Sequence, residues 1–410
     1  MTRKPAALSV ALALALALAA AALAGTTRTA ADPGVTPTSI LLGGTVPLSG
    51  QASSLSAVAR GAAAYFSYVN ANGGINGRKV EYRYVDDSYD PSKTVVLTRE
   101  LVEQDKVFAI FNAVGTEANQ GVRPYLTANK VPQLFIASGS TSWGRDGGQY
   151  PYSFGFQPSY QAEGWVYGKF LARTKPGARI AVLFQNDDYG RDILGGLRKG
   201  LERSKAKVIA AEPYEVTAAD VQSQVAALKA SGADTFAIFA FPPKSIQAYL
   251  AAQKVGWKPA TVIINAVGSP SDYMKIAAFN VPVLANGSIS VSFVKDPTDP
   301  TWKNDPAMKL YRQIMRRYAP GASVNAPLHV YGMAAAYSMV EALKQAGRDL
   351  TREGVVKAVG SMNHRNPFLL PGIVVKTGAG DRFPIEQMLL QRWSKGSWKS
   401  FGGLWGYRGG

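Results

Sequence analysis

Short apolar runs and longer amphipathic stretches alternate along most of the chain, and the spacing within each stretch predicts its element. Residues 39–46 form an apolar run of strand length. Val58, Ala62, Tyr65, Phe66 and Val69 follow at three-to-four spacing, which predicts a helix closed by Asn72-Gly73-Gly74. Val80, Tyr82 and Tyr84 alternate with Glu81 and Arg83, the period of a strand with one covered face. Helix period returns over 94–104, and 107–111 and 133–137 read as buried strands. A Gly/Ser/Tyr-rich stretch from Ser138 to Tyr160 interrupts the rhythm. The alternation then resumes, with strands over 179–184, 208–211, 234–241 and 261–265. Helices over 191–203, 221–230 and 245–255 separate them. Later helices span 305–318 and 330–345, and 371–393 holds two more strand-like runs.

Strands alternating with helices of about ten residues imply parallel sheets covered by helices. Two such series imply an α/β fold of two doubly wound parallel-sheet lobes. In open sheets of this kind a ligand sits beyond the carboxyl ends of the strands. The loops that matter are therefore those after Val46, Phe111, Phe135, Phe184, Phe241 and Asn265.

The chain starts with Arg3 and Lys4, an apolar run from Ala6 to Leu23 and the small residues Ala22-Leu23-Ala24. That order is a signal peptide over 1–24, cleaved near Ala24, and it predicts export to a periplasmic space. No later stretch approaches the roughly 18 apolar residues of a membrane span. With no cysteine in 410 residues, neither disulfides nor a thioether lipid anchor are available, and stability must come from core burial. The net charge of +17 could favour anionic ligands or surfaces. The basic residues are scattered, however. Arg198, Lys199 and Arg203 form one solvated face opposite Leu194, Leu197 and Leu201, so no nucleic acid is expected as a partner.

Catalytic signatures are absent. The chain has two histidines, His329 and His364, and lacks a nucleophile elbow, a phosphate loop and a dinucleotide fingerprint. Asp187-Asp188 are neighbours on one loop and do not face each other as catalytic carboxylates do. Asp86-Asp87 read as turn and capping residues rather than metal ligands. The expectation is a protein that is not an enzyme and uses no metal or cofactor.

Four segments then carry a resemblance: Pro47-Leu48-Ser49-Gly50, Asn70 to Gly77, Asp86-Asp87 with Asp90-Pro91, and Gln185-Asn186-Asp187-Asp188-Tyr189-Gly190. In this order they resemble the leucine/isoleucine/valine-type substrate-binding proteins of ABC importers, which have the type I periplasmic binding-protein fold. The resemblance covers nearly everything from Ser39 to Trp393. It implies two lobes joined by three crossing strands, with 35–157 and 289–383 in the first lobe and 158–288 and 384–410 in the second. It further implies a monomer that closes on a small carboxylate or amino-acid ligand and meets membrane permease subunits, or alternatively a soluble sensor component. Thr116, Ser138 and Ser140 match the positions that hold the ligand's charged head. Viewed alone, Thr116 reads as a helix N-cap. Tyr189 and Phe241 match aromatic walls of the second lobe, and Leu55 matches a contact to the ligand side chain. Trp143, Tyr152, Phe154 and Phe156 crowd the irregular stretch, and some of them are expected at the pocket.

One departure stands out. Amino-acid binders of this family carry a carboxylate after the strand that here ends at Asn265, where it pairs the ligand ammonium. This chain reads Asn265-Ala266-Val267-Gly268-Ser269, without an acid until Asp272. Burying an ammonium unpaired costs several kcal/mol. Either Asp272 or another acid takes the role, or the ligand is an apolar or aromatic carboxylate, towards which the missing acid, the aromatic loop and the positive charge point.

Overall fold

The computed structural model describes residues 32–407. The signal-peptide segment 1–24 lies outside the described residues. Five strands form the first sheet: β1 (Ser39–Val46), β2 (Lys79–Asp86), β3 (Ala109–Phe111), β4 (Gln133–Ile136) and β5 (Ser153–Gly155). Their order is β2-β1-β3-β4-β5 and every pairing is parallel, with β1 and β2 in register from Ser39–Lys79 to Val46–Asp86. The second sheet holds β6 (Arg179–Gln185), β7 (Lys207–Tyr214), β8 (Thr235–Phe239), β9 (Thr261–Ile264) and β10 (Ile289–Ser292). After two short strands, β11 (Asn363–His364) and β12 (Val375–Lys376), it is completed by β13 (Gln387–Ser394) and β14 (Ser397–Ser400). The order is β14-β13-β10-β9-β8-β6-β7, with a short β15 (Trp405–Gly406) also pairing β13; the pairings of β13 with β10, β14 and β15 are antiparallel and the rest parallel. The fold is thus the expected two-lobed α/β architecture. The apolar run of β8 has every residue buried, as a strand covered on both faces requires.

The polypeptide passes from the first sheet to the second after Gly155, leaves the second after Ser292 for helices that pack on the first lobe, and returns to it at Gln387. Strand β10, which the expected division placed with the first lobe, hydrogen-bonds within the second sheet. Glycines set how closely the covering helices pack. In the second lobe the helix Tyr160–Thr174 lies against the helix Asp188–Leu201, and a Cβ added at Gly164 would sit 2.0 Å from Ile193 O. In the first lobe, Ala57–Ala71 crosses Pro327–Ala346 the same way, with a Cβ at Gly332 meeting Val58 O at 1.9 Å. Backbones therefore touch where side chains would otherwise separate them.

Asp86 and Asp87 do the capping work expected of them. Asp86 Oδ1 accepts from the amides of Leu48, Ser49 and Ser88, and Asp87 accepts from Tyr89 N and Thr94 Oγ1. Their hydrogen bonds fold the loop after β1 onto the loop after β2. Phe135, fully buried in β4, has φ +54, an uncommon value for a bulky side chain, at the irregular pairing of β4 with β5. Asn112, also at positive φ, donates from Nδ2 to Phe135 O at 2.6 Å and holds that kink. The kink lies just before Ala137 and Ser138, at the carboxyl edge of the sheet.

Candidate functional site

The carboxyl edges of the two sheets face each other across a cavity of about 110 Å³. Leu55, Val58, Val114, Gly115 and Ala137 line it from the first lobe. Tyr189, Phe241, Ala266, Val267 and Trp398 line it from the second, and Phe293 and Val294 lie on the segment that follows β10. Tyr89 of the first lobe and Phe241 of the second have ring centroids 6.4 Å apart, and within the second lobe Tyr160 and Tyr189 are at 4.8 Å. Such rings supply large apolar faces at low conformational cost, with hydroxyls at their rims. A wider cavity of about 480 Å³ opens beside it, lined by polar residues including Thr116, Glu117, Asp187 and Glu215.

Direct hydrogen bonds close the lobes over these spaces. The Thr141 amide donates to Asp192 Oδ2 at 2.7 Å, and Gln120 Nε2 donates to Asp188 Oδ2 at 3.0 Å. A weaker contact runs from Gln51 Nε2 to Thr217 O at 3.4 Å.

A sequence profile described as periplasmic binding protein matches residues 39–397. The chain belongs to that family. Leu/Ile/Val-binding protein homolog 1 of Brucella abortus is 24% identical, the match covering 87% of this chain and 91% of the relative. The amino acid binding protein of Pseudomonas aeruginosa is 27% identical over 43% of this chain and 46% of its own length. The chain thus spans about half the length of several curated relatives it matches. Among solved structures, a branched-chain amino acid ABC transporter protein from Thermus thermophilus with bound valine has a TM-score of 0.80 at 18% identity, covering 91% of this chain and 98% of that one. A fatty acid ABC transporter substrate-binding protein from Thermomonospora curvata has a TM-score of 0.79 at 22% identity, covering 92% and 95%. A Rhodopseudomonas palustris protein in complex with 4-hydroxybenzoate has 0.74 at 18%, covering 90% and 97%. The fold is thereby that of the type I periplasmic binding proteins, and the family is one of substrate-binding transport proteins. No helix among the described residues is long and apolar enough to cross a membrane.

Of the residues singled out in the sequence, Leu55, Tyr189 and Phe241 line the inner cavity of this binding protein. Thr116, Ser138 and Ser140 do not. Thr116 lines the outer cavity, and its hydroxyl lies 2.8 Å from Ser138 Oγ. Ser138 Oγ also accepts from the Ser140 amide, while Ser140 Oγ lies 3.0 Å from Ser142 Oγ and accepts from Gln120 Nε2. Strands β3 and β4 are neighbours, so the hydroxyls in the loops that follow them satisfy one another behind Gly115 and Ala137. Thr116 is the first helical residue and not the cap: Gly115, at φ +109, holds the cap position. Trp143, Phe154 and Phe156 are core residues outside the inner cavity; Trp143 Nε1 donates to Ser138 O at 2.9 Å.

Asn265 is a strut in place of the missing acid. Its Nδ2 donates to the Tyr189 hydroxyl at 2.6 Å and its Oδ1 accepts from the Ala240 amide at 3.0 Å. Asp272 does not line the inner cavity. Two other acids do, Glu163 and Asp296, and both are held above the ordinary carboxylate range chiefly by burial. Glu163, pushed up to about 7, sits on the helix Tyr160–Thr174. The pattern of apolar positions predicts no element over these residues, and the irregular stretch was expected to reach Tyr160. The Ser159 cap, whose side chain accepts from the Ala162 amide, and the apolar spacing Ala162, Val166, Phe170 were the available signals.

Proposed function

We propose that this protein captures a small, largely apolar organic acid, either an amino acid or its deaminated counterpart, by closing its lobes, and delivers it to the permease of an ABC importer. One observation carries the reading: the inner cavity is walled by apolar and aromatic side chains drawn from both lobes and from the crossing segments. A ligand touching both halves stabilises the closed arrangement more than the open one, which is the thermodynamic requirement for capture. Leu55, Tyr189 and Phe241 form the walls in this proposal. Thr116, Ser138 and Ser140 serve the head group by ordering the edge at Gly115 and Ala137, where the helix Thr116–Ala128 presents its amino end. Relatives named for leucine, isoleucine and valine binding, and structural neighbours with valine or 4-hydroxybenzoate, support both ligand classes.

Titration calorimetry with leucine, valine, benzoate and hydroxycinnamate, with solution scattering on the same samples, tests it. Saturable binding of at least one compound together with compaction of the particle is expected. A flat titration and an unchanged scattering profile across the whole panel would remove the proposal.

A further inference from the structure

The second lobe ends, away from the cleft, in a surface that solute capture does not use. The helix Ser271–Asn280 starts at the inner cavity, which Ser271 lines. At 1.5 Å per residue its last turn lies about 12 Å further on, towards the amino ends of the strands. There Phe279 is 88% exposed, and Val283, on the short helix Pro282–Ala285 that follows, is 85% exposed. No other large apolar side chain among the described residues stands so far into water. Single exposed apolar residues are ordinary, but two side by side at a tip mark a contact surface. The same pole is basic. Lys275 and Lys395 share the surface groove of Phe279, Pro282 and Val283, Lys258 precedes β9, Arg203 and Lys205 precede β7, and Lys175 precedes β6. All six are exposed, and none is in an ion pair among the described residues. Segments 273–287 and 387–400, which build the groove, contain no acid. Glu202 and Asp234 are the acids in the connections before β6 to β10, and Asp234 is engaged by the Arg179 amide and the Thr235 hydroxyl. An apolar tip ringed by unpaired cations complements a surface of mobile anions above an apolar interior. A second copy is disfavoured, because two basic rims would meet. An acidic protein would need carboxylates fixed opposite cations spread over the whole lobe end, whereas lipid head groups diffuse to them.

We propose that this pole docks the protein on an anionic lipid bilayer, with Phe279 and Val283 entering at head-group depth and Lys275 and Lys395 meeting lipid phosphates. The cleft, at the opposite ends of the strands, then faces away from the bilayer and stays free to take up solute. Vesicle co-sedimentation tests this on the chain without segment 1–24, whose apolar run would bind lipid by itself. Binding to vesicles of phosphatidylglycerol mixed with phosphatidylcholine is expected, weakening with added salt and nearly lost on pure phosphatidylcholine. Phe279→Ser with Val283→Ser should lower the partition coefficient about tenfold or more. The melting temperature should hardly move, since neither side chain is packed. Lys275→Glu with Lys395→Glu should lower partition to a similar degree. Lys309→Glu with Lys357→Glu makes the same charge change on the first-lobe helices Pro306–Tyr318 and Arg352–Val359, and should leave partition within a few-fold. Equal losses from both lysine pairs would mean that net charge alone attracts the bilayer, and unchanged partition in the serine variant that the tip does not insert; either result overturns the proposal. Retention on immobilised polyglutamate without vesicle binding would assign the face to an acidic protein and overturn it as well.

Discussion

Asn265 holds Tyr189 by a 2.6 Å hydrogen bond across the base of the second lobe's wall, and through its other side-chain atom it satisfies the buried amide of Ala240. A single amide thus orients a ring of the cavity and completes the edge of β8. Asn265→Ala should lower unfolding free energy by about 1–3 kcal/mol, because a buried N–H is left without an acceptor. It should also weaken binding by freeing the Tyr189 hydroxyl. Urea unfolding checks the first outcome, provided the slope is unchanged. A midpoint equal to that of the wild type would mean that water replaces the strut without loss.

Closure depends on few direct contacts. The 2.7 Å bond from the Thr141 amide to Asp192 and the Gln120–Asp188 bond join the lobes, together with the Tyr89–Phe241 ring contact at the cavity. Asp192→Ala removes the acceptor of a charge-assisted bond and should shift the population towards open forms, raising the apparent dissociation constant roughly tenfold. Scattering should record a larger radius of gyration at sub-saturating ligand. An unaltered particle size and affinity would show that this contact carries no closure energy.

Adjacent glycines in the helix Asp188–Leu201 should respond with opposite signs. A Cβ at Gly196 would lie 2.1 Å from Gln161 O, so Gly196→Ala must push the helix pair apart, at a cost of about 1–3 kcal/mol or more. A Cβ at Gly195 meets nothing within 4 Å, and Gly195→Ala should stabilise by about 0.5–1 kcal/mol through the helix propensity of alanine. Thermal melts of the two variants decide this directly, and a change of the same sign in both would refute the close-packing account.

Those glycines also explain what the sequence concealed. Strands such as β1 and β8 announce themselves because burial on both faces demands unbroken apolar runs. The helix Tyr160–Thr174 does not, because Gly164 and Gly168, present for backbone contact with the neighbouring helix, look like loop residues in one dimension. Glu163 was hidden with it. Leu55, Tyr189 and Phe241 were named through the family resemblance alone, and all three line the inner cavity. The hydroxyls of Thr116, Ser138 and Ser140 were legible as a cluster, but not as one turned inward, because only the pairing of β3 with β4 brings them within bonding distance of each other. The role of Asn265 could not be read either: it needs the spatial adjacency of Ala240 and Tyr189, which lie on separate elements.

Glu163 makes a final prediction, on stability. Its folded-state pKa is raised from an ordinary 4.5 to about 7, chiefly by burial. A carboxyl raised in this way favours the folded state fully below the unfolded value, and that contribution is lost as pH climbs through the folded one. The ligand-free protein is therefore penalised above pH 7 by up to about 3 kcal/mol, since each tenfold gain in proton affinity on folding is worth about 1.4 kcal/mol. Glu163→Gln keeps the shape and removes the titration, so it should unfold at a higher temperature than wild type at pH 8, with the advantage shrinking towards pH 5. A variant less stable than wild type at pH 8 without ligand would mean that the two hydrogen bonds to Glu163 Oε1, from the Ala266 amide and the Tyr167 hydroxyl, outweigh the burial of charge, and that Glu163 is retained for structure.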